Sequence, residues 1–155
     1  KKMLDIDLKE VNKLFNLLSA NWGKIDSDAS KGLTNFENPA FIGAWNEHRE
    51  IYGYLLRSEL VYRFKKMLEQ RTDLFMDNPI NYLIIDEYQD LNKCDLEVIT
   101  YLSNLGARLF CAGDDDQSIY GFRYAHPKGI KKFTDHYDDS KQFELSNCFR
   151  CDEKF

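Results

Sequence analysis

No run of about 18 apolar residues occurs in this 155-residue chain, so the sequence offers no transmembrane helix. A secretory signal pattern is likewise not seen in it. Basic charge is in deficit: 21 Lys and Arg stand against 26 Asp and Glu, for a formal net charge of -5 and a pI near 5.2. That balance excludes a domain coated in phosphate-binding surface, though not a groove with local basic groups. Four cysteines (Cys94, Cys111, Cys148, Cys151) give no disulfide framework, and the lone C-x-x-C from Cys148 to Cys151 lacks a second pair at zinc spacing. Cys111, inside an apolar run, reads as a small core residue. His48, His126 and His136 have no metal-ligand spacing and read as surface or packing residues. The reading is of a reduced, cytoplasmic protein. The phosphate-cradling loop Gly-x-x-x-x-Gly-Lys-Ser/Thr is missing as well. Gly23-Lys24 is followed by Ile25 and has no earlier glycine, so it reads as a loop.

What is present supports a real core, since 43% of the residues are hydrophobic. Length alone fits one domain, or a domain with an appended segment. Leu4, Leu8, Val11, Phe15 and Leu18 recur at helical steps. Residues 21–39 are polar and read as a loop. A second helical region spans about 40–74, with Trp45, Tyr52, Leu55, Leu56, Leu60, Phe64, Met67 and Leu68 on its stripe and Gly53 as a point of interruption. Arg63-Lys65-Lys66 and Lys128-Lys131-Lys132 read as solvated helix faces. Asn78-Pro79 breaks the helical pattern.

From there the texture alternates. Residues 81–86 read as a strand buried on both faces of a parallel sheet. Residues 95–104 read as a helix with Leu96, Ile99 and Leu102 inward, closed by Gly106. Residues 107–112 are a second strand. Pro127 opens a helix with Ile130, Phe133 and Tyr137 on its apolar side, and 141–145 are a third strand. Such alternation implies an α/β fold with a parallel sheet.

The chemistry concentrates at the strand ends. Leu83-Ile84-Ile85-Asp86-Glu87-Tyr88-Gln89-Asp90 is an apolar strand delivering adjacent carboxylates to its exposed carboxyl end. Ligands of open α/β sheets bind in the crevice outside those ends. One carboxylate there can hold Mg²⁺, directly or through water, and its neighbour can take a proton from an attacking water. Downstream come Gly113-Asp114-Asp115-Asp116-Gln117-Ser118-Ile119-Tyr120-Gly121-Phe122-Arg123 and Leu145-Ser146-Asn147-Cys148-Phe149-Arg150.

These three segments, in this order, resemble motifs II (Walker B), III and IV of UvrD/Rep-type superfamily 1 DNA helicases. The resemblance covers 81–155 well and the front of the chain only loosely. It implies a partial RecA-like motor domain over 79–155, preceded over 1–78 by part of a helical subdomain inserted into that domain. It also implies ATP and Mg²⁺ as cofactors. Asp86 would be the metal ligand, Glu87 the catalytic base, and Gln117 the γ-phosphate sensor that couples it to DNA. Arg150 would contact the γ-phosphate, where a guanidinium fork suits the spread charge of phosphoryl transfer. Tyr120 and Phe122 would stack on bases of single-stranded DNA, with Arg123 as a coupling residue. Asp114 would stand behind the Mg²⁺, Asp115 and Asp116 would shape the turn, and Asp90 would support the site or cap the next helix. The chain departs from the family's pattern at Phe122, where Trp is frequent, at Tyr124, and at Cys148, Phe149 and Cys151 around Arg150.

The chain starts at Lys1 and ends at Phe155, and is expected to be an excised piece, inactive alone. Its partners would be single-stranded DNA or duplex–single-strand junctions and the rest of the polypeptide, including the Walker A half and a second motor domain. A helicase–nuclease fusion is a close variant. The rival reading is a degenerate, non-catalytic single-stranded nucleic-acid-binding module that keeps Tyr120 and Phe122. A plain α/β interaction domain leaves the motif order unexplained.

Overall fold

The computed structural model describes residues 7–25, 38–71, 73–114, 117, 133–137 and 139–147. In chain order these form α1 (Leu8–Lys24), α2 (Pro39–Tyr52), α3 (Arg57–Gln70), β1 (Tyr82–Ile85), a 3₁₀ turn (Tyr88–Asp90), α4 (Lys93–Asn104), β2 (Arg108–Cys111) and a single turn α5 (Phe133–His136). The chain is helix-rich and mixed, with a parallel pair of strands connected through α4.

Local chemistry sets the helix ends. Asp7 caps α1 by accepting from the Glu10 N–H at 2.8 Å. Asn38 caps α2 through the Phe41 N–H, with Pro39 at the first helical position, where no amide hydrogen is needed. Gly53 takes φ +64 and stops α2, so the long helical stripe of the sequence is two helices, with 54–56 as the connector. A capping box starts α4: Asn92 accepts from the Asp95 N–H and Asp95 accepts from the Asn92 N–H, each at 3.1 Å. Asn92, not Asp90, is therefore the cap of this helix. Gly106, at φ +103, ends α4 in a Schellman arrangement, its N–H donating to the Ser103 carbonyl while Ala107 N–H reaches the Leu102 carbonyl.

Two apolar clusters hold these elements. Leu18 and Trp22 of α1 meet Phe41 and Trp45 of α2, with the Phe15 and Phe41 rings edge to face at 4.9 Å. The second cluster joins residues on both sides of position 78: Leu68 of α3 packs with Leu102 of α4 and Ala107, and Phe64, Leu74, Phe75, Ile80 and Leu83 lie around them. Residues 21–24 belong to α1 and not to a loop, and Trp22 and Gly23 are buried. At Gly23 an added Cβ would stand 3.3 Å from Asn92 Cγ, so this glycine serves the close approach of α1 to the start of α4.

Three expectations fail for physical reasons. β1 is not covered on both faces: Tyr82 and Ile84 are 69% and 76% exposed, as is Phe110 of β2 at 67%. Nothing among the described residues covers that side of the sheet. Residues 141–145 form no strand; they are exposed, and the described sheet contains β1 and β2 alone, so no strand edge pairs with them. Lys65 is not on a solvated face either. It is 4% exposed and reaches Glu69 and Glu97, both at 2.9 Å, which ties α3 to α4. Arg63 instead joins Arg49 on the buried Glu59, at 2.7 and 2.9 Å. Pro127, Ile130 and the lysines at 128, 131 and 132 lie outside the described residues, as do Cys148, Cys151 and His126.

Burial by itself would lower the Lys65 ammonium, but its hydrogen bonds to Glu69 and Glu97 and their charges outweigh that and hold it above its ordinary range. The hydrogen bond from Lys65 pulls the Glu69 carboxyl below its ordinary value of 4.5. Removing one partner of a buried pair strands the others. Lys65→Ala is expected to cost about 2–3 kcal/mol in urea unfolding, below the full buried-pair cost because both carboxylates reach water. Because the Glu69 value is depressed on folding, its contribution is present above pH 4.5 and lost as the pH falls below it. The acid-side loss of stability is expected to shrink in Lys65→Ala.

Candidate active site

Tyr82-Leu83-Ile84-Ile85 supplies aromatic and β-branched residues that suit extended backbone, and pairs in parallel with Arg108–Cys111, Ile85 opposite Cys111. Parallel pairing puts both carboxyl ends on the same side. The ladder runs on past the strands: Ala112 N–H donates to the Ile85 carbonyl at 2.8 Å, and Tyr88 N–H to the Ala112 carbonyl at 3.0 Å. The turn after β1 is thereby fastened beside the turn after β2.

Asp86 leaves β1 exposed, one oxygen accepting from the Glu87 N–H at 2.9 Å. Glu87 sits in the left-handed region, at φ +52 and ψ +45. A side chain there costs about 1–2 kcal/mol relative to the right-handed region, and such residues concentrate at functional sites. The following 3₁₀ turn buries Tyr88 and Gln89. The Tyr88 ring meets Phe133 edge to face at 5.4 Å, and burial pushes its phenol well above the ordinary range. Gln89 Nε2 donates to Glu87 Oε2 at 2.6 Å, while Gln89 Oε1 accepts from the Asp114 N–H at 3.0 Å. Asp114 in turn accepts from Gln117 Nε2 at 2.7 Å. A hydrogen-bonded series, Glu87–Gln89–Asp114–Gln117, therefore crosses from one strand end to the other.

Asp86, Glu87, Asp114 and Gln117, named from sequence, thus lie in one constellation. Tyr120, Phe122, Arg123 and Arg150 lie outside the described residues, as do Asp115 and Asp116. The sequence reading gave Gln89 no separate role and missed the Asn92/Asp95 box, whose signal was present as Asn-x-x-Asp ahead of an apolar helical pattern. Among the described residues, no three His, Cys, Asp or Glu side chains converge on one point. A cation at the exposed Asp86 would accordingly take most of its ligands from water and phosphate oxygens. That is the manner of Mg²⁺, which keeps several waters and binds through one or two carboxylates, and the residues fit it. The Cys111 thiol, raised to about 11 by burial, is not a nucleophile here.

Residues 9–138 match the model of the UvrD/REP helicase N-terminal domain. The chain belongs to that family. A DNA helicase II from Rickettsia typhi is 32% identical over 94% of this chain and 24% of its own length. An ATP-dependent DNA helicase Rep from Salmonella typhimurium is 28% identical over 96% of the chain and 23% of its own length. An ATP-dependent helicase/nuclease from Carboxydothermus hydrogenoformans is 33% identical over 79% of the chain and 11% of its own length. The chain thus spans a quarter or less of these UvrD/REP relatives.

The φ of Glu87 can be isolated from its side chain. Glu87→Ala and Glu87→Gly both lose the contact with Gln89, but only alanine keeps a Cβ in the left-handed region. Glu87→Gly is expected to be about 1 kcal/mol more stable than Glu87→Ala in urea unfolding. Equal stabilities would show that the positive φ is not held in solution.

Proposed function

We propose that this chain is part of the first motor domain of an ATP-dependent DNA helicase or translocase. Its fold would be RecA-like, with residues 1–78 from an inserted helical subdomain and 79–155 carrying motifs II to IV. The observation that carries the reading is the constellation at the two parallel strand ends, Asp86-Glu87 beside Asp114 and Gln117, in a chain of the UvrD/REP family. The relatives' names, which describe ATP-dependent DNA helicases, support it.

The reaction would be in-line attack of water on the γ-phosphate of ATP. Glu87 would orient that water and take its proton. Asp86 would hold Mg²⁺ through ordered water, and the bound ion supplies positive charge against the phosphate oxygens. Arg150 would add its guanidinium to the γ-phosphate, and Gln117, whose amide both donates and accepts, would sense that group. Tyr120 and Phe122 would stack on bases of single-stranded DNA or of a duplex–single-strand junction, without sequence readout, with Arg123 beside them. The Walker A half and a second motor domain would come from the rest of the polypeptide. The protein would act in the cytoplasm, and this piece alone would be inactive.

Two features favour an incomplete motor over a stand-alone, degenerate binding module. Among the described residues the apolar sheet face of Tyr82, Ile84 and Phe110 is bare, as expected where further elements of one domain pack. A module that binds strands without hydrolysis also has no chemical need for a Glu at φ +52 gripped by a buried glutamine.

The test is ATP hydrolysis by the protein containing this chain, with and without single-stranded DNA. Wild type is expected to show DNA-stimulated turnover, and Glu87→Gln to lose about 10²–10⁴ in kcat while still binding ATP. Strong strand binding with no turnover in either protein would favour the degenerate module.

A further inference from the structure

Gln89 is a polar side chain buried to 4% exposure that the hydrolytic reading leaves without a task. Its two contacts fix which way its amide points. A carboxylate oxygen can only accept, so the NH₂ group faces Glu87 Oε2 at 2.6 Å. A backbone N–H can only donate, so the amide oxygen faces Asp114 N at 3.0 Å. No other side chain of this length supplies one donor and one acceptor in this arrangement. Glutamate cannot donate, asparagine is a methylene shorter, and methionine does neither. One end of the amide thus grips the carboxylate of the proposed base, and the other grips the backbone after β2, where Asp114 receives Gln117 Nε2 at 2.7 Å.

We infer that Gln89 is the positioning residue for Glu87: it holds the carboxylate in its hydrolytic orientation and ties that orientation to the Asp114–Gln117 turn. The inference rests on the hydrolytic role proposed for Glu87. Gln89 touches neither nucleotide nor water in this scheme and acts through Glu87 alone. A displacement of Asp114 when Gln117 engages a ligand is passed to Glu87 through one rigid amide.

The test uses the DNA-stimulated ATPase of the full protein with Gln89→Glu and Gln89→Met, each checked for thermal unfolding. Gln89→Glu keeps the acceptor toward Asp114 but sets a carboxylate against Glu87, and Gln89→Met keeps the volume without either hydrogen bond. Both are expected to lower kcat about 10- to 100-fold, the kinetic equivalent of one hydrogen bond to a charged group, with KM for ATP unchanged. In the Glu87→Gln background, Gln89→Met is expected to add no further loss, because its effect runs only through Glu87. Wild-type kcat in both Gln89 variants would overturn the inference while leaving the hydrolytic reading intact. Additive losses in the double variant, or a parallel fall in ATP affinity, would also overturn it by marking Gln89 as merely structural. An inactive wild type overturns the hydrolytic reading and this inference together.

Discussion

The backbone ladder between the two strand ends is the constraint on which the rest of the site depends. Ile85 carbonyl, Ala112 N–H, Ala112 carbonyl and Tyr88 N–H alternate across the gap after the regular strands have stopped. This continuation brings the turn holding Glu87 within side-chain reach of the turn holding Asp114. In that register a single glutamine can span both. Glu87 can then stay in the left-handed region, because its neighbours are fixed on both sides: Tyr88 in the ladder and Gln89 on its carboxylate.

The helical front is not an ornament to this arrangement. Gly23 lets α1 come against Asn92, the residue that starts α4, two positions after the end of the 3₁₀ turn. α4 is also held from below by Leu68 against Leu102 and by the ion pair from Lys65 to Glu97. The crossover that separates β1 from β2 is therefore positioned by contacts from residues before position 78, although the motifs all lie after it. Apolar contact supplies most of the cohesion. The charges set which face of α3 meets α4, since an ammonium as buried as Lys65 is tolerated only opposite its carboxylates.

Much of this was legible in the residues. The apolar run ending in Asp86-Glu87, the glycine that ends α4, and the helical stripes all have local causes, and local causes survive translation into structure. The places where reading failed have non-local causes. Whether Tyr82 and Ile84 are covered depends on elements elsewhere, so a run of apolar residues could not decide it. Residues 141–145 have strand composition, but a strand exists only beside a partner edge. Lys65 sits in a basic cluster by sequence and in a buried ion-pair set by structure, because Glu97 arrives from another helix. Gln89 was visible inside its motif, yet its task depends on Asp114, 25 positions on, through a backbone N–H that no sequence pattern displays.

The central claim is that Glu87 stands ready for a water beside the γ-phosphate while Gln89 holds it. The most direct measurement is a crystal structure of the full protein with Mg²⁺ and a non-hydrolysable ATP analogue. The account predicts the triphosphate outside the carboxyl ends of β1 and β2. It also predicts Asp86 facing the metal's waters, and Glu87 hydrogen-bonded both to Gln89 Nε2 and to a water in line with the γ-phosphate. A nucleotide bound elsewhere, or Glu87 turned from the phosphates with Gln89 bonded to other groups, would contradict it.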